Sequence, residues 1–482
     1  MSHGPNDSVA SWVNGEWYEG SGESFLIDDP STGAELCEFL DGGVAAAEAA
    51  IRSAHENHAV GRWRTMPGPE KARVLWNVAQ SIAVVAEELA QLESLAVGRP
   101  IADTRKDVSA VVSMFEHYAG WCDKLIGDVV PVPTNHVNYT QLDPYGVVVQ
   151  LTPWNAPIFT AGWQLAPALC TGNSVVLKPS EFTPLTSLAL VQIAEEAGLP
   201  RGTVNVVLGG GPTSGETLVG SPDIDKVVFL GSVPTGRRVA ESAGRQLTPT
   251  LLELGGKSPN IVLPGFDYEK VVDAAIGGVM QAAGQSCTAL SRMLVPEGDV
   301  DHVATLLAAG AESLRMGRAG DDSTQIGPLC HRGHFDRVTR TVEEGLTPDT
   351  RVVTGAESAS GPGYFYKPTV IVDAEGNSPL SRGEIFGPVL VVTGYTDEAD
   401  AVGKANATDY GLASMIWSND VSQAHRVAGL IQAGTVWING GKALNAMSPF
   451  GGYKKSGIGR SSGRAALAEY TRTKSVWVNT DS

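Results

Sequence analysis

Apolar residues recur every three or four positions through two stretches of the first third of the chain, GVAAAEAAIRSAHENHAV (43–60) and PEKARVLWNVAQSIAVVAEELAQLESLAVGRP (69–100). That period is helical, and the second stretch reads as one helix ended by its Gly-Arg-Pro stop. Both are expected as surface helices packed on a sheet. From Tyr145 short β-branched runs alternate with helical ones: GVVVQLTP with APIFTAGWQLAPALCTG, SVVLKPS with TPLTSLALVQIAEEAGLP, TVNVVLG with TSGETLVGS, and KVVFLGS with VPTGRRVAESAG. Units of this length predict a parallel sheet with right-handed crossovers and helices on both faces. PNIVLPGFD, SRMLVP, VIVD, GPVLVVTGY and TVWING continue the alternation and predict a second α/β layer.

Two β-rich segments have no neighbour of their own: GDVVPVPTNHVNYTQLDP (127–144), read as an isolated strand pair, and TKSVWVNT (473–480). Bare strand edges are aggregation hazards. The two are therefore expected to pair with each other or across a subunit interface, as the arm of a dimer or tetramer.

Composition narrows the class. A chain of 482 residues is long enough for two or three domains, and 43% hydrophobic against 18% charged is an ordinary globular balance. The net charge of −18 opposes a nucleic-acid partner, and the one basic cluster, Lys454, Lys455 and Arg460 in GYKKSGIGR, reads as a solvated loop. Neither a signal peptide nor a membrane-spanning run is expected. The five cysteines are odd in number and never in a C-x-x-C pair, which fits reduced thiols in the cytoplasm and makes the glycosylation-like triplets at Asn6, Asn138 and Asn406 chance matches.

Candidate chemistry begins with Cys287 in AAGQSCTALSR, between small and polar residues. A lone cysteine is most often a small buried hydrophobe. Ligands bind at the strand ends of parallel sheets, and here these read LTPWNAP, LKPSEFTP and FLGSVPTG. The turn Gly231–Gly236 opens a helix and suits a pyrophosphate, though it lacks the G-x-G-x-x-G spacing. Glu181 is placed to accept from ribose hydroxyls and Lys178 to donate to one; solvated charge is the plain alternative for each. Glu253, among apolar residues and glycines, is either a poorly solvated general base or an outward surface charge. Asn155 either caps a helix or stabilises an oxyanion.

Eight strings in fixed order, TPWNAP, KPSEFTP, FLGSVPTG, LELGGKSP, GQSC, EIFGPVL, GTVWING and PFGGYKKSGIGR, resemble the aldehyde dehydrogenase superfamily across residues 152–460. The resemblance implies a parallel-sheet dinucleotide-binding domain (1–122 and 144–252), a second α/β catalytic domain (253–465) and a small β oligomerisation arm (123–143 and 466–482). It implies Cys287 as nucleophile, Glu253 as the base that activates water, and Asn155 with the Cys287 N–H as oxyanion hole. Lys178 and Glu181 are expected at the adenosine ribose; Gly231, Ser232 and Gly236 at the pyrophosphate; Glu384 and Phe386 at the nicotinamide. Thr152, Pro153, Trp154, Ser180, Gly211 and Leu254 complete the implied cofactor groove. NAD is expected over NADP, because Glu181 would repel a 2′-phosphate. No metal is required, and Lys257 matches the motif without an assigned role.

Ala156 follows the oxyanion-hole asparagine where many relatives carry an aromatic, which widens the expected tunnel. Trp163 stands where succinic semialdehyde dehydrogenases carry an arginine, against a small dianionic product. Phe159, Trp163, Leu444 and Phe450 suit an apolar tunnel for an aromatic or aliphatic aldehyde, with Ser286 and Thr288 flanking the nucleophile; each serves equally as a core residue. Two other classes stand beside this reading. One is a cysteine hydrolase or acyltransferase pairing Cys287 with His331 or His334; the other is a non-catalytic structural member of the fold, which an intact Cys287, Glu253 and Asn155 oppose.

Overall fold

The computed structural model describes residues 9–481; residues 1–8, Asn6 among them, and residue 482 lie outside the described residues. Strands Val147–Leu151, Ser174–Lys178, Val204–Val206, Lys226–Leu230 and Thr250–Glu253 form the parallel body of an eight-stranded sheet. Its order reverses beside Val147–Leu151: the next two strands lie on one side, the following two on the other. Both faces are covered, which is why these strands read as unbroken apolar runs. Val147 and Val149 pack with Ala46, Ala50 and Ile51 of helix Gly43–Val60, whereas Val148 points into the opposite core with Phe115, Ile158 and Leu165.

A seven-stranded sheet forms the second layer. Pro259–Val262, Arg292–Pro296, Thr369–Asp373, Val389–Tyr395, Ala413–Trp417 and Thr435–Ile438 run parallel, and Thr350–Thr354 joins one edge antiparallel. Alternate residues again face opposite cores, Ile261 and Leu294 one way, Val262, Met293 and Val295 the other. The two β-rich segments pair with each other: His136–Pro144 runs antiparallel to Thr471–Asn479, from Asn479 opposite His136 to Thr471 opposite Pro144, and Val129–Val130 adds a short third strand. Among the described residues no helix is long and apolar enough to cross a membrane.

One expectation needs correction. The stretch 69–100 is two helices, Gly68–Val84 and Ala86–Val97, because Val85 leaves helical geometry (φ −109°, ψ 23°) and so lets Ile82 and Leu89 reach the core from two directions. The Gly-Arg-Pro stop is real, with Gly98 left-handed at φ +81°, yet Pro100 immediately opens another helix, Ile101–Ala119. Ser11–Val13 and Glu16–Tyr18 extend the first sheet antiparallel, and Ser24–Asp29 with Ala34–Leu40 forms a hairpin.

Arg292, at the start of its strand and 4% exposed, donates to three backbone carbonyls, Lys257 O at 2.9 Å, Lys404 O at 2.9 Å and Ala405 O at 2.7 Å. Arg292→Met keeps the aliphatic stem and removes all three donors, leaving Lys404 O only its bond from Ala407 N at 3.3 Å. The thermal unfolding midpoint is expected to fall by about 5 °C or more, read by differential scanning calorimetry.

Candidate active site

In open α/β sheets a crevice forms where strand order reverses, outside the carboxyl ends of the strands. Thr152, Pro153, Trp154 and Asn155 follow directly on Val147–Leu151 at that point, and Gly231 and Ser232 follow on its neighbour Lys226–Leu230. Ser232 caps helix Val233–Arg245, its hydroxyl accepting from Thr235 N, so the helix N-terminus opens toward the crevice. Gly236 serves packing: a Cβ there would stand 2.6 Å from Leu254 Cδ2. Lys178 is buried at the end of the next strand, donating to Pro179 O at 3.2 Å with Glu181 Oε2 at 3.7 Å, and Ser180 Oγ lies 3.5 Å from the same oxygen. Thr152 Oγ1 is buried without a partner. Gly211, exposed, opens a tight turn whose Gly215 lies against the Lys178 stem.

The chain passes from the first sheet to the second through Glu253–Ser258, and this crossing builds the site. Gly231 N donates to Glu253 O at 3.0 Å, Leu254 N to Ser456 O at 2.9 Å, Ser456 Oγ to Gly255 O at 2.7 Å, and Gly256 N to Glu384 Oε1 at 2.9 Å. A Cβ on Gly255 would meet Glu384 Oε2 at 2.2 Å, and one on Gly256 the carbonyl of Cys287 at 2.5 Å. Gly256 is thus a steric requirement, whereas a side chain on Gly255 would displace the Glu384 carboxylate.

Glu253 turns inward. Its Oε1 accepts from Ser461 Oγ at 2.7 Å, its Oε2 is buried without a partner, and desolvation pushes its carboxyl up to about 8 against the pull of Ser461. Burial likewise raises Glu384. Lys257, fully buried with no partner for its Nζ, is drawn down to about 7 by desolvation and by Arg292.

Cys287 follows an unusual backbone. Ala282, Ala283 and Gly284 are all left-handed (φ +51°, +52° and +75°), a run that costs on the order of 1 kcal/mol per alanine. Gln285 holds it, with Nε2 donating to Ala282 O at 3.0 Å and Oε1 accepting from Cys330 N at 2.8 Å. Asn155 Nδ2 donates to Gln285 O at 2.9 Å, leaving its second amide hydrogen free, and Arg99 Nη1 fixes Asn155 O at 3.2 Å. The Cys287 thiol is half-buried and pushed up to about 12, first by burial and then by Glu253. Ser286 and Thr288 place their hydroxyls 3.2 Å apart beside it.

Cys287 packs against the cluster that contains Phe159, Trp163 and Phe450. Trp163 lies 5.6 Å from Phe159 and 5.2 Å from Phe450 between ring centroids, and its Nε1 donates to Ser462 Oγ at 2.5 Å. Ala156 is buried at the start of helix Pro157–Cys170, whereas Leu444 is 46% exposed, outside that cluster. Trp154 and Phe386 meet edge to face at 5.4 Å, with His334 4.6 Å from Trp154. His331 Nδ1 accepts from His334 N, and His334 Nε2 bonds Phe386 O at 2.8 Å. Both rings are thereby held in this aromatic group with nitrogens on backbone, which disfavours the hydrolase pairing with Cys287. Ser461, Gln285, Arg99 and Lys442 border the site and were missed; only the short spacing of Gln285 to Cys287 offered a signal.

Fold and site define a two-sheet α/β enzyme with a cysteine at the junction of its sheets. The chain belongs to the aldehyde dehydrogenase family, whose profile matches residues 17–476. It is 37% identical over 480 residues to the betaine aldehyde dehydrogenase of Bacillus subtilis, covering 98% of each chain. It is 39% identical over 474 residues to the phenylacetaldehyde dehydrogenase of Pseudomonas fluorescens, covering 96% of this chain and 94% of that one. The structure of an aldehyde dehydrogenase from Bacillus cereus in complex with NAD+ superposes with a TM-score of 0.96 at 39% identity, covering 98% of this chain and 97% of that one.

A carboxyl raised from 4.5 to about 8 binds a proton in the folded chain that the unfolded chain has lost. Its contribution to stability is complete below the ordinary carboxylate range and lost as pH rises through about 8. Glu253→Gln removes that ionisation. The midpoint difference between variant and parent is expected to grow in the variant's favour from pH 6 to pH 9, followed by thermal melts across that range.

Proposed function

We propose that the protein oxidises an apolar aromatic or aliphatic aldehyde to the carboxylic acid through a covalent intermediate on Cys287. The observation that carries this reading is the half-buried thiol set beside a buried, singly hydrogen-bonded Glu253. The Cys287 sulfur, once deprotonated, adds to the aldehyde carbon and forms an S–C bond. The resulting oxyanion takes hydrogen bonds from the free amide hydrogen of Asn155 and the Cys287 N–H, which bonds no other residue. Asn155 is already oriented for this by Gln285 O and Arg99.

The crevice residues fit a nicotinamide dinucleotide: a strand-order reversal, an open helix N-terminus after Gly231 and Ser232, a buried Lys178 beside Glu181, and the unpartnered Thr152 Oγ1. When bound, that group supplies the acceptor for the hydride leaving the tetrahedral carbon. Trp154, Glu384 and Phe386 would border its nicotinamide end, and Glu181 favours NAD because its carboxylate repels a 2′-phosphate. The Bacillus cereus relative, solved with NAD+, supports that choice. Glu253 then takes a proton from the water that attacks the Cys287 thioester; the acid leaves and the thiol is restored. Water is kept to that one role by the apolar wall of Phe159, Trp163 and Phe450, and the likeness to a phenylacetaldehyde dehydrogenase supports an aromatic substrate. The β arm, with Trp477 and Val478 exposed, suits contact with a second copy of the chain.

The direct test is reduced-cofactor absorbance over a panel of aldehydes; no turnover with any apolar aldehyde would sink the reading. Cys287→Ser is expected to abolish reduction. Glu253→Gln is expected to retain a burst of about one reduced cofactor per site before slow turnover, because acylation survives while thioester hydrolysis lacks its base. Rapid-mixing kinetics read both, and full steady-state turnover without a burst would reassign the base.

For the cofactor, kcat/KM with NAD is expected to exceed that with NADP by roughly tenfold or more, and Glu181→Ser to narrow the ratio. Equal efficiencies in the parent would remove Glu181 from the cofactor groove.

A further inference from the structure

After strand Thr435–Ile438 the chain turns at Asn439 (φ +51°) and runs through Gly440 and Gly441 to Lys442. Trp437 Nε1 donates to Ala443 O at 3.0 Å, and Gly463 N to Ala446 O at 2.9 Å, so the loop is tied down beyond Lys442. From there Lys442 Nζ reaches Ser286 Oγ at 3.4 Å, on the residue preceding Cys287. Among the described residues this is its one hydrogen bond, and no carboxylate forms an ion pair with it. Half-buried Lys442 thus differs from two buried lysines, Lys226, whose Nζ meets Glu469 Oε2 at 2.8 Å, and Lys178, which has Glu181.

The groups that act on Lys442 are Cys287, Arg99, Asp103 and Asp107. Both carboxylates are otherwise engaged, Asp107 by Arg99 at 2.8 Å, Asp103 by Lys106 and Gln281 at 3.1 Å each. Among the described residues, the charged groups that act on the thiol are Glu253 and Glu384, which oppose its anion, and Lys442, which favours it. An ammonium taken from water with donors to spare is costly unless an anion faces it.

We propose that Lys442 is the counter-ion of the Cys287 thiolate, holding the sulfur anionic between loss of its proton and attack on a carbonyl. The inference rests on the proposed function only for Cys287 as the reacting thiol. Burial draws Lys442 down and the facing Cys287 pulls it back up, so ammonium and thiolate each favour the other's charged form. The pair titrates together. Without the lysine, Glu253 and Glu384 act on the sulfur unopposed, and the thiolate forms at higher pH.

Alkylation by iodoacetamide tests this without aldehyde or cofactor: the thiol proton passes to solvent, sulfur displaces iodide, and an S–C bond forms. Peptide mass spectrometry separates modification at Cys287 from that at Cys37, Cys122, Cys170 and Cys330. In Lys442→Met the pH midpoint of alkylation is expected to rise by about one pH unit or more, with an about tenfold slower rate at neutral pH, and Lys442→Arg to restore most of it. Circular dichroism verifies folding, and Lys442→Gln substitutes if the methionine variant does not fold. An unchanged profile in a folded variant overturns the proposal. So does an unchanged profile with a KM increase confined to carboxylate-bearing aldehydes, which would make Lys442 a substrate contact. A shifted profile in a protein that oxidises no aldehyde would uphold the counter-ion and overturn the proposed function instead.

Discussion

Six residues, Glu253 to Ser258, carry the chain from one sheet to the other, and the backbone polar groups of that crossing need partners away from water. The solution draws in distant parts of the sequence. Gly231 and Ser456 meet the carbonyls and N–H groups at its start, Glu384 accepts from its middle, and Arg292 closes its end. Because Gly255 and Gly256 lack side chains, Glu384 and the Cys287 carbonyl can press against the same few atoms. The site is therefore a by-product of joining two sheets by the shortest route: its acid, its thiol and the residues of its crevice are gathered by backbone satisfaction as much as by side-chain chemistry.

That economy of space sets the electrostatics. Water is scarce at the junction, so each ionisable group is displaced toward its neutral form: Glu253 and Cys287 upward, Lys257 and Lys442 downward. A carboxyl poised near neutrality suits proton exchange, whereas a thiol raised so far is a poor nucleophile until something opposes its burial. The same exclusion of solvent helps one partner and handicaps the other.

Much of this was legible in the sequence because backbone constraints leave local marks. The parallel sheets appear as apolar runs at regular spacing, and the crossing as Leu-Gly-Gly-Lys, whose glycines answer to the close approach of the Glu384 carboxylate and the Cys287 carbonyl. Cys287, Asn155 and Glu253 carried no signal singly; they became readable through their surrounding strings, and the structure sets them at the ends of elements that converge. What stayed hidden depends on contacts between remote segments. Ser461 on Glu253, Lys442 beside Ser286 and Arg99 behind Asn155 are ordinary polar residues in their own neighbourhoods. The break at Val85 escaped for the opposite reason: helical periodicity continues across it, and only the shape of the core bends the chain. Gly236 looked like a ligand-facing glycine and is accounted for by Leu254.

The pairing of His136–Pro144 with Thr471–Asn479 has a consequence for assembly in time. The first of these strands is made early and its partner only after nearly all of the second sheet, so during synthesis its edge hydrogen-bonding groups wait for a segment that does not yet exist. The first sheet waits in the same way for Gly457–Ile458, which pairs with Thr250–Glu253. Neither β layer can be completed in the order of translation. A nascent chain of this design spends its longest interval with an open β-edge, the condition under which chaperone binding has most to offer and a wrong partner strand does most harm.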